Sequence, residues 1–221
     1  MGNIVEAYIG EYASGKSEVA INRALQLKAM GREVTLVDLD TVEPFYTLRP
    51  LKQRLEQEGL HMVAWDPKEV MGFGETGLLL KPQMRWALHN KGDIILDIGY
   101  GVQGARILDL LEDVADRRQE LKLYCVINVG RPMTSGVEEI VEYVNSIAEV
   151  DGLINNSHIG DHTDVEFIQT GSDLVKQAAE NLGLPLIATT TDEKFKHDLG
   201  SHDKNGIEVR YLHRWMPSAL W

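Results

Sequence analysis

The chain has 221 residues, 25% of them charged and 43% apolar, with a formal net charge of −12. That length and balance suit one soluble α/β domain over residues 1–221 with a substantial core. The acidic excess argues against a nucleic-acid binder or a protein held on anionic membranes, although a local patch can oppose the average.

Cys125 is the single cysteine, which leaves no internal disulfide, and a core position is the plain reading. Two copies could pair their thiols around a metal in a symmetric dimer only if Cys125 were exposed. No apolar stretch reaches the length of a membrane span. The first strand starts almost at the N-terminus, so we expect no signal peptide and a cytoplasmic protein.

In chain order, Ile4–Ile9 reads as a strand and leads into Gly10-Glu11-Tyr12-Ala13-Ser14-Gly15-Lys16-Ser17, which spells G-x-x-x-x-G-K-S. A helical pattern follows over Ser17–Met30 and stops at Gly31. Strand, loop and helix in that order are the context a phosphate-binding P-loop requires. Its glycines let successive N–H groups turn inward around phosphate oxygens, and the helix start adds partial positive charge. Gly10, Ala13, Ser14, Gly15, Lys16, Ser17 and Glu18 are therefore candidate nucleotide contacts. Lys16 would reach the terminal phosphates, and the Ser17 hydroxyl would ligate Mg2+. The bland alternative is a glycine-rich turn that binds nothing.

Glu33–Asp38 is a second strand, ending in Val37-Asp38-Leu39-Asp40, and Leu48–Glu58 is a helix. His61–Ala64 is a short strand. Gly72–Gly77 is glycine-rich without a convincing preceding strand and reads as a flexible loop, a lid for a substrate or partner. A helix over Leu78–Asn90 leads to the apolar strand Asp93–Asp97, which ends in Asp97-Ile98-Gly99. Helix Gly104–Arg118, strand Leu121–Asn128 and helix Thr134–Ile147 follow. Strand Gly152–Asn155 ends in Asn155-Asn156, helix Ser172–Leu182 ends at Gly183, and Leu186–Ala188 is a further strand. Asp192–Asn205 reads as a mobile polar loop, and residues 206–212 as a final edge strand. The aromatic tail Trp215–Trp221 is too short for a membrane-targeting helix and could dock on the core or a partner. The seven histidines show no ligand spacing, and His158 and His162 sit in a loop, so no zinc is assigned. Continuous apolar runs such as Ile94–Leu96 mark parallel strands covered on both faces. The expected fold is α/β, a doubly wound, mostly parallel sheet with helices on both faces.

Four strand ends carry polar residues where open parallel sheets bind ligands: the P-loop, Asp38 with Asp40, Asp97, and Asn155 with Asn156. In this order they resemble the MinD/ParA-type ATPases of the CobQ/CobB/MinD/ParA nucleotide-binding family. The strings Asp38–Tyr46 and Gly152–Ser157, with Arg214-Trp215-Met216-Pro217, look like an uncharacterised bacterial ATP-binding branch of it. The resemblance implies ATP with Mg2+. It also implies that Asp40 positions the attacking water and that Asp38 lies close to the metal and P-loop. Asp97 would be the Walker B acid holding a metal-bound water, and Asn155 or Asn156 would read the adenine edge. Caps and loop bonds are the alternative tasks for these acids and amides.

One position departs from the pattern. The family usually carries a lysine just after the first P-loop glycine, which crosses a dimer interface; Glu11 stands there. An acid facing a triphosphate repels it, so Glu11 is expected to point away or to bind metal-bound water. Without a substitute cation turnover should be slow. Arg49 and Arg131 are candidates, with surface arginines or distant ion pairs as the alternative. The leading function is a slow Mg2+-dependent ATPase acting as a nucleotide-dependent switch or assembly factor, with a homodimer or another protein as partner. The alternative is an ATP-dependent small-molecule kinase or ligase, with residues 73–85 closing over a second substrate. A metallochaperone-like ATPase is a third reading, weakened by the lack of a cysteine pair.

Overall fold

A strand covered on both faces must present apolar side chains in an unbroken run, and such runs form the middle of the sheet. The structure, a computed structural model, describes residues 2–41, 48–66, 80–147 and 149–216. The strands are β1 (Val5–Gly10), β2 (Val34–Leu39), β3 (His61–Val63), β4 (Asp93–Ile98), β5 (Leu121–Ile127), β6 (Gly152–Asn155), β7 (Leu186–Asp192) and β8 (Val209–Leu212). They form an eight-stranded parallel sheet in the order β3-β2-β4-β1-β5-β6-β7-β8. Because the order reverses direction, the sheet is doubly wound, as expected. The helices among the described residues are α1 (Lys16–Ala29), α2 (Lys52–Gln57), α3 (Pro82–Arg85), α4 (Gly101–Ala105), α5 (Val137–Ile147), α6 (Val165–Leu182) and α7 (Lys196–Leu199). The chain divides into two compact units.

The first unit comprises Met1–Ile9 and Ala20–Lys122. In it β2 pairs with β3 and β4, and β1 pairs with β4, all parallel. Leu36, Val37, Ile95 and Leu96 are fully buried. Two acids serve this framework. Asp93, at the start of β4, pairs with Arg32 and accepts the Ile4 N–H at 2.8 Å. Glu6 on β1 accepts from Tyr8 Oη at 2.7 Å and from two nitrogens of Arg23.

The expected helices are shorter here than the sequence suggests. Leu48–Glu58 divides into a 3-10 turn at Arg49–Leu51, which contains Pro50, and α2. Within residues 80–90, α3 is a single turn followed by the 3-10 turn Ala87–His89. The helix expected over Gly104–Arg118 is α4 plus a 3-10 stretch, Arg106–Leu110, and residues 112–120 are turns. Only Val114 and Ala115 in that last segment are apolar, so a continued helix would have no stripe to bury.

The second unit comprises Gly10–Val19 and Leu123–Trp221. Its strands β5, β6, β7 and β8 pair in sequence, all parallel, and α5 packs on α6. Helix α6 starts at Val165, seven residues before the expected start. Asp164 caps it by accepting the Phe167 N–H at 2.8 Å, and Gly183 closes it in the left-handed region at φ 67°. Gly171 invites the later start, but it is glycine because a side chain would strike Ser157. Strand β7 continues through the buried threonines Thr189, Thr190 and Thr191 to Asp192, whose β-branched side chains suit a strand. The edge strand expected over residues 206–212 is β8. The mobile loop expected over Asp192–Asn205 is instead ordered, with α7 inside it. There the buried Asp203 carboxylate accepts from Ser172 Oγ (2.6 Å), Thr189 Oγ1 (2.7 Å) and the N–H groups of Asn205 and Ile207. Cys125 is fully buried and its thiol pKa is pushed up by burial, which overturns the metal-sharing dimer.

Candidate functional site

The P-loop leaves β1 at Gly10, where a Cβ would meet the Ser14 side chain and, at 2.5 Å, the Val126 carbonyl oxygen. Ser14 N–H donates to the Glu11 carbonyl at 3.1 Å and closes a turn; Val19 N–H to Gly15 O, also 3.1 Å, opens α1. Ala13 and Gly15 both sit at positive φ, 58° and 83°, the alternation that turns successive N–H groups to one side as an anion nest. Ser14, Lys16 and Ser17 are buried, and Ser14 Oγ has no hydrogen-bond partner among the described residues. A buried hydroxyl left unpaired costs stability unless a ligand meets it. That orphan in a cradle of N–H groups fits a phosphate group. Mg2+ in such sites takes most ligands from phosphate and water. The buried Ser17 hydroxyl fits it, and among the described residues no cluster of three acids, histidines or cysteines competes.

The loop after β5 is stapled to the P-loop. Glu11 is buried; its Oε1 accepts the Met133 N–H at 3.2 Å and its Oε2 the Thr134 hydroxyl at 3.0 Å. Of the two alternatives for Glu11, pointing away is the one observed. Arg131 Nε donates to the Ala13 carbonyl at 3.1 Å. Asn128 Oδ1 accepts from Gly130 N–H at 2.9 Å and His158 N–H at 3.0 Å, tying this loop to the one after β6.

Both asparagines after β6 hold neighbouring segments together. Asn155 is fully buried. Its Oδ1 accepts from Ser157 N and Oγ, and its Nδ2 donates to Ile168 O and Thr189 Oγ1. Asn156 Nδ2 donates to the Ser14 carbonyl at 2.8 Å while its Oδ1 accepts from Thr190 Oγ1 at 2.8 Å. The amide therefore fastens the P-loop to β7, and this is why Gly15 has no room for a side chain. His158, close behind Gly15, is held neutral: burial, then the charges of Arg131 and Arg214, lower its pKa to about 4.

An open cleft lies beside this loop, bounded by Gly15, Asn156, His158, Lys194, Phe195 and Arg214. Lys194 Nζ stands 4.8 Å from the Phe195 ring centre. Glu18, expected to contact nucleotide, holds the segment at Trp215 and Met216 through its carboxylate. Its carboxylate accepts the N–H groups of Trp215 (3.0 Å) and Met216 (2.7 Å), and burial raises its pKa. Arg214 pairs with Asp161 and His213 with Glu193. Trp215 thus docks on the core, one of the two fates expected for the tail; residues 217–221 lie outside the described residues.

In the other unit, the β2–β4 register sets Asp38 beside Asp97, both at strand ends and both buried. Asp38 Oδ1 accepts the Asp40 N–H at 3.0 Å. Arg49 Nε approaches Asp38 Oδ2 at 3.3 Å, and Arg49 Nη2 donates to the Asp40 carbonyl at 2.7 Å. Burial raises the Asp38 pKa to about 6, with Arg49 pulling it down and Asp40 pushing it up. Arg49 is therefore spent within this acid cluster, and both oxygens of Asp38 are engaged. Residues 42–46 of the Asp38–Tyr46 string, and the glycine-rich segment Gly72–Gly77, lie outside the described residues.

No known protein-family profile matches the chain. Among curated proteins, the tRNA dimethylallyltransferase of Erythrobacter litoralis (strain HTCC2594) is 30% identical over 112 residues, which is 48% of this chain and 34% of that protein. The chain thus spans about a third of the length of the curated relative it matches. Among solved structures, FtsY of Thermotoga maritima aligns at a TM-score of 0.61 and 16% identity, covering 99% of this chain and 67% of that one. The signal recognition particle receptor FtsY of Elizabethkingia anophelis in complex with GDP gives 0.60 and 16%, covering 89% and 59%. FlhF complexed with GTP and Mg2+ gives 0.51 and 14%, covering 80% and 62%. The fold is that of the P-loop nucleotide-binding α/β proteins.

Proposed function

We propose that this chain is a Mg2+-dependent ATP-binding protein of MinD/ParA type, a slow ATPase acting as a nucleotide-dependent switch or assembly factor from a single domain over residues 1–221. The observation that carries the reading is the Gly10–Ser17 cradle, with its two left-handed residues and the unpaired buried hydroxyl of Ser14. Lys16 takes the terminal phosphates, and Ser17 serves Mg2+, which supplies charge neutralisation; Asp97 takes the Walker B role that the family resemblance implies. Asp40 positions water. Asp38, its oxygens engaged by Arg49 and by the Asp40 N–H, holds Asp40 in place. Adenine is favoured because the segment after β6 reads Asn155-Asn156-Ser157-His158, not the Asn-Lys-x-Asp that reads guanine. The protein acts in the cytoplasm, with a second copy or another protein as partner, and without nucleic acid or membrane.

Calorimetry with millimolar ATP, GTP and Mg2+ tests this. Heat and thermal protection with ATP, lost in Lys16→Ala, is the expected outcome. No response to either triphosphate overturns the reading, and a response to GTP alone overturns its base. One rival is an ATP-dependent small-molecule kinase or ligase on the same scaffold, an option raised by Glu11 standing where the family's signature lysine would be. Such an enzyme keeps its sedimentation coefficient with a non-hydrolysable ATP analogue and accelerates with one metabolite from a screened pool.

A further inference from the structure

We propose that Arg131 supplies, from within the same chain, the positive charge that meets the terminal phosphate of the bound nucleotide; this rests on the nucleotide-binding reading above. Among the described residues, Arg131 uses Nε alone, in its bond to the Ala13 carbonyl at 3.1 Å. Among the described residues, the terminal nitrogens Nη1 and Nη2 have no hydrogen-bond or ion-pair partner. The side chain is half-buried, in a chain whose acids outnumber its Lys and Arg residues 34 to 22. A half-buried guanidinium without a counterion costs free energy that an arriving anion returns.

The nearby acid does not fill that role. Glu11 lies two residues from Ala13, yet its two oxygens go to Met133 N–H and Thr134 Oγ1. Those same bonds hold the loop that carries Arg131, and Asn128 braces it through Gly130 N–H. The positive charge is thus fixed against the phosphate loop before ligand arrives, the condition under which a charge stabilises a transition state without reorganisation. The field of Arg131 also reaches His158 and helps keep that imidazole neutral. A guanidinium forks naturally onto phosphate oxygens.

The test compares wild type, Arg131→Ala and Arg131→Lys for ATP and ADP affinity by calorimetry and for single-turnover hydrolysis with Mg2+. Arg131→Ala is expected to lose about tenfold more affinity for ATP than for ADP and to slow hydrolysis by on the order of a hundredfold or more. Arg131→Lys keeps part of the ATP preference, and free guanidinium ion restores part of the lost rate in Arg131→Ala. Equal weakening of ATP and ADP, with a lowered Tm and no rescue, would mean that Arg131 only pins the Ala13 carbonyl, and overturns the inference alone. Unchanged affinities and rate do the same. A wild-type chain that binds neither nucleotide overturns the nucleotide reading and this inference with it.

Discussion

His158 shows how far a single buried side chain can couple the site to pH. Its folded pKa lies near 4 against an ordinary value of 6.5, lowered first by burial and then by Arg131 and Arg214. The folded state therefore binds fewer protons than the unfolded chain between those values. The stabilisation is present above about pH 6.5 and is lost as pH falls through about 4, in total on the order of 3 kcal/mol. His158→Gln should flatten this part of the acid limb in urea titrations from pH 7 to 4. An unchanged pH profile would show that the imidazole titrates normally. Asp38 has the opposite sense. Its pKa is raised to about 6 by burial, so its ionisation costs stability progressively as pH rises from about 4 through 6. At the same scale, Asp40→Ala should keep ATP affinity and remove turnover, since its backbone bonds to Asp38 and Arg49 do not need its own carboxylate. Hydrolysis at the wild-type rate in that variant rules out a water-positioning role.

Among the elements, the start of α1 does two things at once. Its first residues face the P-loop, while Glu18, two residues on from Lys16, grips the N–H groups of Trp215 and Met216. The segment from His213 to Met216 is also held by Glu193 and Asp161, but those pairs are exposed and worth little. The charge-assisted bonds at Glu18 are partly buried and carry more. Glu18→Ala should therefore release the amides of Trp215 and Met216 to hydrogen exchange while α6 stays protected. Wild-type protection in the variant would mean that the Trp215 side chain alone anchors the segment. The expected elements also differ in how readable they were. Strands β1, β2, β4 and β5 announced themselves through apolar runs. The short helices α3 and α4 did not, because proline at Pro82 and the polar segment 112–120 break patterns that single-residue propensities would extend.

For the molecule as a whole, the prediction from a single domain is one cooperative unfolding transition, with calorimetric and van't Hoff enthalpies in agreement. Two resolved transitions would show that the units containing β4 and β7 melt separately. A switch should also change its sedimentation coefficient with a non-hydrolysable ATP analogue and Mg2+, and a coefficient indifferent to nucleotide would leave the enzyme reading standing.

The succession of strands along the chain, the P-loop and the acids at strand ends were legible in the residues themselves. Continuous apolar runs, strand–loop–helix spacing and glycine placement are local properties that a linear string carries. Which partners Glu11, Glu18, Asn155, Asn156 and Arg131 meet was decided only in three dimensions. Each of these polar groups takes its task from a partner across a loop or strand, such as Thr134 for Glu11, Met216 for Glu18 and Ser14 for Asn156. Sequence names the donor and the acceptor. Burial and tertiary approach decide which donor meets which acceptor, because a buried polar atom must find the partner that folding brings within reach.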